Sequence, residues 1–116
     1  AFLHDLNSLR LLQDLSSPFV IVVLNNNGGG IFSFLPIAGF SDVFERYFGA
    51  PHGMTFEHAA ALFDVEYARP SSPGEFVDVY GQARGRTGAT MIEVLTTRRD
   101  NYDLHLSLRK AALEGL

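Results

Sequence analysis

An apolar run that leads directly into asparagines and glycines constrains this chain more than any other feature. Residues 19–24 are all apolar, four of them β-branched, and residues 25–30 read Asn-Asn-Asn-Gly-Gly-Gly. Because the apolar residues do not alternate with polar ones, the pattern predicts a strand covered on both faces, as in a parallel sheet. The asparagines and glycines then form a loop at the carboxyl end of that strand, where open α/β sheets bind their ligands.

The composition excludes several classes of protein. With 116 residues, 47% of them hydrophobic and 19% charged, the chain has the size and character of one globular domain. A net charge of −4 provides no electrostatic footprint for nucleic acid, and the longest apolar run is too short to span a membrane. The absence of cysteine excludes disulfides and thiolate metal sites and is compatible with a cytoplasmic protein. Because the chain starts at Ala1, in the middle of a helical pattern, we expect it to be a piece of a longer protein.

Helical and strand patterns alternate along the sequence. The predicted elements are a helix over 2–16, strands over 19–24, 65–68 and 89–96, a short helix over 42–48, and helices over 56–63, 73–84 and 102–113. Thr55 is the expected cap of one helix, and Ser72-Pro73-Gly74-Glu75 is a capping box at the start of another. This order predicts an α/β fold, with a parallel sheet that carries helices on both faces. The long connection 37–54 has the character of a binding segment.

The position of the first helix bears on function. A helix that precedes a parallel strand is normally a crossover, and it begins at the carboxyl edge of the sheet. Its positive N-terminus and the asparagine loop are therefore expected to converge, which suits a diphosphate group.

The loop itself has the chemistry of a cation and phosphate site, although an alternative remains open. Asparagine oxygens and backbone carbonyls are hard ligands that Mg²⁺ accepts, but Mg²⁺ usually also takes a carboxylate, and this loop has none. Gly28 and Gly30 match the first half of the dinucleotide fingerprint, whereas Ser33 stands where its third glycine belongs. The alternative is a tight turn in which the amide side chains satisfy backbone groups.

Three stretches together resemble a known family. Residues 25–36, with His4-Asp5-Leu6-Asn7 before them and Phe56-Glu57-His58-Ala59-Ala60-Ala61-Leu62 after them, resemble thiamine-diphosphate enzymes. More narrowly, they resemble the 2-succinyl-5-enolpyruvyl-6-hydroxy-3-cyclohexene-1-carboxylate (SEPHCHC) synthase family of menaquinone biosynthesis. The resemblance is close from Ala1 to about Tyr67 and looser beyond. It implies that residues 1–116 form a single thiamine-diphosphate- and Mg²⁺-binding domain, the last of three domains in that family.

The resemblance also implies roles for individual residues. Asn26 would provide its side-chain oxygen to Mg²⁺ and Gly28 its backbone carbonyl. The residues that it places at the cofactor are Ala1, Phe2, Asn25, Asn26, Asn27, Gly28, Gly29, Ile31 and Phe32. For Ile31 and Phe32, plain core packing is the alternative. The family motif opens with Gly-Asp about 25–30 residues before its asparagines, which implies that the missing carboxylate lies upstream of Ala1.

Members of this family are transferases that decarboxylate 2-oxoglutarate and add the succinyl-semialdehyde unit to isochorismate. The resemblance therefore implies these two substrates, a homodimer or tetramer, and a cytoplasmic location. The family's activating glutamate belongs to another domain of a partner subunit, so no catalytic residue is expected here and the chain alone is expected to be inactive. The alternatives are another thiamine-diphosphate decarboxylase or carboligase, and a non-catalytic α/β phosphate-binding module.

Other chemically notable residues have less specific interpretations. The four histidines lack the spacing of a metal site, and His58 is expected to pack or hydrogen-bond within its helix. Arg98 and Arg99 could face an anionic substrate, but solvent exposure is the more ordinary outcome for such a pair. Asp5 and Asn7 are expected to hold the neighbouring loop by hydrogen bonds. Aromatic residues cluster around the long connection, where we expect some to be buried and some to form subunit contacts: Phe34, Phe40, Phe44, Tyr47 and Phe48.

Overall fold

The computed structural model describes residues 1–115, and these residues form two compact units. The first unit contains residues 1–24 and 55–95, and the second contains residues 25–54 and the chain from Thr96 onward. The two segments of the second unit follow directly on the first and the last strand of the fold.

A three-stranded parallel sheet organises the first unit. Its strands are β1 (Pro18–Asn25), β2 (Glu66–Ala68) and β3 (Gly88–Leu95), in the spatial order β1-β3-β2. β2 pairs parallel with β3, with Tyr67 opposite Met91. The open parallel sheet with flanking helices confirms the predicted α/β fold.

The central strand and the first strand of the sheet differ in burial. β3 is central, and four consecutive residues in it are buried, which are Thr90, Met91, Ile92 and Glu93. β1 is an edge strand in which Val23 is buried while Val22 is 40% and Leu24 68% exposed. The prediction that β1 is covered on both faces is therefore wrong for the described residues, because an apolar run alone does not show what packs against each face of a strand.

The first helix is shorter and more tightly wound than its apolar spacing predicts. It spans Phe2–Leu12 as a 3-10 helix and is interrupted at Asp5, where φ is −134° and ψ is 30°. The Asp5 carboxylate accepts a hydrogen bond from the Ser8 hydroxyl at 2.5 Å, so this side chain serves its own helix. Aspartate also has a low intrinsic helix propensity, because its short polar side chain favours non-helical local hydrogen bonds.

Helix α2 (Glu57–Leu62) begins without the expected cap. Phe56 occupies the N-cap position, and its side chain makes no capping hydrogen bond. The Phe56 N–H instead donates to the buried carboxylate of Glu93 at 3.0 Å. The prediction that Thr55 caps this helix is wrong, because a residue of the central strand binds the backbone at this helix start.

Helix α3 (Pro73–Ala83) has half of the predicted capping box. The Ser72 hydroxyl accepts a hydrogen bond from the Glu75 N–H at 3.2 Å, as expected of an N-cap serine. The Glu75 carboxylate does not reach back to Ser72, and it accepts instead from the N–H and the hydroxyl of Ser71, both at 2.7 Å. These two hydrogen bonds lower the pKa of Glu75.

Buried apolar side chains of the first helix, β1, α2 and β3 form the core of the first unit. Phe2 lies beside it, with its ring edge-on to Phe56 at a centroid distance of 4.7 Å. The buried members of the core cluster are Leu9, Val23, Phe56, Ala60, Val65 and Met91.

The second unit is built from short helical segments and one long helix. Its elements are 3-10 helices over Gly30–Phe34 and Pro36–Gly39, α1 (Ser41–Phe44), a π-helical turn over Glu45–Gly49, and α4 (Arg98–Glu114). The helix predicted over 42–48 is thus present as α1 and the π-helical turn. α4 begins at Arg98 rather than at Tyr102, because the Thr97 hydroxyl accepts from the Asp100 N–H at 3.1 Å and caps the helix earlier. Within residues 1–115, no helix is both long enough and apolar enough to cross a membrane.

Candidate cation and phosphate site

The asparagine loop begins with a side chain that is buried and hydrogen-bonded within the loop. Asn25 is 6% exposed, and its amide nitrogen donates to the Met54 carbonyl at 2.9 Å. Its amide oxygen accepts from the Asn27 N–H at 3.0 Å. The Asn25 side chain therefore shapes the loop and joins it to the end of the long connection.

Asn27 has the same kind of role. Its φ of 56° lies in the left-handed region, which asparagine tolerates better than most residues. Its side-chain oxygen accepts from the N–H groups of His52 at 3.0 Å and Gly53 at 2.7 Å. Two of the three asparagines thus tie the loop to residues 52–54, as the turn interpretation of the loop expects.

The side chain of Asn26 is different. It is half-buried, and within the described residues its amide makes no hydrogen bond. The amide lies against Gly30, where a Cβ atom would come within 2.5 Å of its Nδ2. A polar side chain held against the glycine backbone without a hydrogen bond is available to a ligand, and its oxygen is of the type that Mg²⁺ accepts.

The glycines of the loop pack their backbone against residues 48 and 49. Gly28 has a φ of +136°, and a Cβ at this position would lie 2.0 Å from the Gly49 carbonyl oxygen. The Gly29 N–H donates to that same oxygen at 2.7 Å. The Gly28 carbonyl accepts from the Gly30 N–H at 3.1 Å, which leaves the oxygen a second lone pair for a cation.

An ion pair between Arg98 and Glu45 lies against the backbone of Gly49. Arg98 Nη2 and Glu45 Oε2 are 2.7 Å apart, and the Arg98 side chain is only 16% exposed. Arg99 is 83% exposed and pairs with Asp103 at 2.8 Å. The expectation of solvent exposure is therefore confirmed for Arg99 and wrong for Arg98. The Thr-x-x-Asp spacing at residues 97–100 is the sequence signal that could have placed Arg98 in the first turn of α4.

A cavity of about 930 Å³ lies within the second unit beside these groups. The groups facing it combine two amides, hydroxyls, two cations and the Glu45 carboxylate, together with apolar carbon from the 3-10 helices. The polar ones are Asn26, Asn27, Ser33, Ser41, Glu45, Thr96, Thr97, Arg98, Arg99 and Tyr102. This combination suits a small anionic ligand, and the volume lies in the range of ordinary ligand sites.

The remaining predicted cofactor residues differ in their surroundings. Ile31 is 75% exposed, so plain core packing does not describe it, and Phe32 is 37% exposed with its ring edge-on to Phe48 at 5.7 Å. Ala1 and Phe2 belong to the first unit, whereas the other predicted residues belong to the second. There Phe2 packs in the core and the Ala1 carbonyl accepts from the His4 N–H at 3.0 Å.

Glu93 is a buried carboxylate that the sequence interpretation missed. It is 0% exposed and accepts hydrogen bonds from the Phe56 N–H and the Tyr67 hydroxyl, within the first unit. Burial, followed by the hydrogen bond and the negative charge of Glu93, raises the pKa of Tyr67 to about 12. A charged residue inside the apolar run of β3 was the available signal.

The histidines and the aromatic residues around the long connection differ in their exposure. His58 is exposed on α2, which excludes a core-packing role. The His105 ring lies edge-on to the Phe34 ring, with 5.1 Å between the ring centroids. Phe44 is buried and Phe34, Phe40 and Tyr47 are exposed, so the expectation that only some of the aromatic cluster is buried is confirmed. In the part of the chain that the structure describes, no three His, Asp or Glu side chains are placed to hold a metal ion.

Comparison with known proteins identifies close relatives along the whole chain. No family model matches the chain. The protein from Rubrobacter xylanophilus is 50% identical over 97% of this chain and 19% of its own length. That from Chlorobium chlorochromatii is 51% identical over 100% of this chain and 20% of its own length, and that from Salinibacter ruber is 50% identical over 99% and 20%. All three carry the name 2-succinyl-5-enolpyruvyl-6-hydroxy-3-cyclohexene-1-carboxylate synthase, and the chain spans about one fifth of their length.

Proposed function

We propose that this chain, which is homologous along its whole length to a segment of the SEPHCHC synthases, is the part of such a synthase that binds Mg²⁺ and the diphosphate of thiamine diphosphate. The relatives are 44–51% identical to it, which makes a shared local fold and site the simplest expectation. The proposal agrees with the family resemblance of the asparagine-glycine loop.

One observation in the site carries the proposal. Asn25 and Asn27 use their side chains to build the loop, whereas the Asn26 amide makes no hydrogen bond within the described residues. A loop that served only as a turn would have no need of this third, half-buried amide. We assign the Asn26 side-chain oxygen and the Gly28 carbonyl as the neutral ligands of Mg²⁺.

These two ligands fit Mg²⁺ in type but are not a complete set. Mg²⁺ sites in proteins usually include one or two carboxylates together with water and substrate phosphates. No aspartate or glutamate stands in residues 25–30. We propose that the aspartate of the family's Gly-Asp motif supplies the acid, as the resemblance implies.

The proposed reaction of the whole synthase is decarboxylation of 2-oxoglutarate and transfer of the four-carbon unit to isochorismate. Thiamine diphosphate supplies the electron sink for such chemistry when it is bound. The residues of this chain would bind and orient the diphosphate, and the cavity that Ser33 and Thr97 face would receive the anionic groups beside it. We further propose that the synthase is a cytoplasmic homo-oligomeric transferase, and that this chain alone is inactive because the activating glutamate belongs to another domain.

The direct test is Mg²⁺ binding by a full-length synthase that carries this segment. Asn26→Ala is expected to weaken Mg²⁺ binding about tenfold or more at a fixed concentration of thiamine diphosphate, measured by calorimetry. Asn101→Ala is the matched control, since Asn101 is an exposed asparagine of the same unit and its variant is expected to bind normally. Unchanged affinity in Asn26→Ala would contradict the proposed cation site.

A second test concerns the reaction. The full-length synthase, given a panel of 2-oxoacids and acceptors, is expected to prefer 2-oxoglutarate and isochorismate, whereas preference for another pair would indicate a different carboligase. Carboligation by the isolated 116-residue chain would contradict the expected inactivity of this segment.

A further inference from the structure

We infer that Arg98 and Glu45 are positioning residues for the cation loop and that they act on it through Gly49. This inference rests on the proposed function, because it concerns the same Asn26 and Gly28 ligands. All of the contacts that carry it lie within the second unit.

The ion pair is packed directly against the backbone of Gly49. A Cβ at Gly49 would lie 2.3 Å from Arg98 Nη1 and 3.0 Å from Glu45 Oε2. A side chain at this position would fit only if the ends of Arg98 and Glu45 moved away from the main chain. The Arg98 stem also approaches the loop, since its Cγ would be 3.5 Å from a Cβ at Gly30.

Gly49 in turn determines where the loop backbone lies. Its carbonyl oxygen accepts from the Gly29 N–H at 2.7 Å, and it is the same oxygen that a Cβ at Gly28 would approach to 2.0 Å. A displacement of Gly49 would break this hydrogen bond or move Gly28, whose carbonyl is a proposed ligand. The ion pair thus contacts the backbone of Gly49, and the Gly49 carbonyl contacts the backbone of Gly28, which provides the proposed cation ligand.

The segment that carries Gly49 needs an external support. Residues 45–49 form a π-helical turn, closed by a hydrogen bond from the Ala50 N–H to the Glu45 carbonyl at 2.8 Å. Ala50 has a φ of 41°, in the left-handed region that costs a non-glycine residue free energy. Glu45 therefore closes this disfavoured turn with its carbonyl and ties the turn to α4 with its carboxylate. Because Glu45 is 55% exposed, solvent weakens the contribution of the pair to stability, and the contact of the pair with Gly49 places it to orient the turn.

The test measures Mg²⁺ affinity by calorimetry in the full-length synthase at fixed thiamine diphosphate. Arg98→Met and the nearly isosteric Glu45→Gln are each expected to weaken Mg²⁺ binding about tenfold, the scale at which residues behind a ligand act. Arg109→Met removes an exposed arginine of the same helix that does not face the cavity, and it is expected to leave affinity within about twofold of the parent. The double variant Arg98→Met/Glu45→Gln is expected to be no weaker than either single variant, because the two residues act as one unit.

A glycine pair tests the path through the backbone. Gly49→Ala is expected to reduce affinity as Arg98→Met does, since the added methyl displaces the guanidinium. Gly81→Ala in α3, at a position away from the cavity with nothing within 4 Å of the added Cβ, is expected to bind like the parent. Urea unfolding without Mg²⁺ is measured for every variant, so that a loss of affinity in a variant as stable as the parent is assigned to the site.

The outcomes separate this inference from the proposed function. If Asn26→Ala loses Mg²⁺ affinity while Arg98→Met and Glu45→Gln retain it, the inference is overturned and the cation site stands. If Arg98→Met loses affinity and Glu45→Gln does not, Arg98 acts directly on the ligand and the positioning role is overturned. If Asn26→Ala retains affinity, the proposed function itself fails.

Discussion

At the scale of single residues, Gly28 is the position where the loop tolerates least change. Its φ of +136° disfavours any side chain, and an added Cβ would meet a backbone oxygen that cannot rotate away. We expect Gly28→Ala to lower the free energy of unfolding by about 2–4 kcal/mol, measured by urea denaturation. Gly81→Ala in α3, where nothing lies within 4 Å of the added Cβ, should instead raise it by roughly 0.5–1 kcal/mol. Equal stability of the two variants would contradict the close approach of Gly49.

Tyr67 makes the stability of the chain depend on alkaline pH. Its pKa is raised from 10.0 to about 12, chiefly by burial and then by the hydrogen bond to Glu93 and the charge of Glu93. Since the folded state favours the neutral phenol, this contribution is fully present below pH 10 and is lost as the pH rises toward 12. We expect the free energy of unfolding to fall over that interval, and ultraviolet absorbance should show one tyrosine ionising late.

The control for this prediction removes only the hydroxyl. Tyr67→Phe should lose about 1–3 kcal/mol at neutral pH, because the buried Glu93 carboxylate loses a donor. It should also abolish the late absorbance change. If Tyr47→Phe, at a 65% exposed tyrosine, removed the late change instead, the assignment to Tyr67 would be wrong.

The residues of the site divide into those that the sequence reveals and those that it does not. The Asn-Gly loop is visible because its residue types are rare together and follow a strand pattern. Arg98 and Glu45 are 53 residues apart, and nothing local indicates that they meet. Glu93 is similar, since its partners Phe56 and Tyr67 come from elements that only the sheet register brings to it.

At the scale of elements, the start of α3 is the clearest link between sequence and local stability. The Ser72 hydroxyl satisfies the Glu75 N–H, one of the donors that a helix start leaves unpaired. Ser72→Ala is expected to lower the free energy of unfolding by about 1 kcal/mol in urea denaturation. Ser17→Ala, at another exposed serine outside the helices, should change it by less than about 0.5 kcal/mol. An equal loss in both variants would show that Ser72 has no special role as a cap.

Elements with regular apolar spacing were predicted close to their observed bounds, and the errors share a cause. β2, α3 and β3 carry strong local patterns, and each falls within a residue or two of its prediction. The start of α2 and the exposed face of β1 were predicted wrongly, because both depend on contacts with elements distant in the sequence. Local sequence does not encode that arrangement, and the tertiary partner Glu93 replaces the expected Thr55 cap.

At the scale of the whole molecule, the two units differ in how many apolar side chains they bury. The first unit has a cluster of buried apolar side chains around a central strand in which Met91 and Ile92 are 0% exposed. In the described part of the second unit, the buried residues are Asn25, Gly30, Phe44 and Gly49, and most helical segments are one or two turns long. Local opening has a lower free energy where few apolar groups are buried.

This difference predicts an order of amide hydrogen exchange and a response to ligand. Amides of β3 should exchange slowest, and those of residues 30–50 should exchange much faster, as measured by mass spectrometry at the peptide level. In a full-length synthase, Mg²⁺ with thiamine diphosphate should slow exchange in residues 25–30 and also in residues 45–50, since Gly29 and Gly49 share a hydrogen bond. Residues 73–83 of α3 serve as the internal reference, because they belong to the first unit and contribute nothing to the proposed ligand set. Protection confined to 25–30 would contradict the coupling through Gly49, and equal slowing in α3 would mean that the ligand stabilises the whole fold rather than this loop.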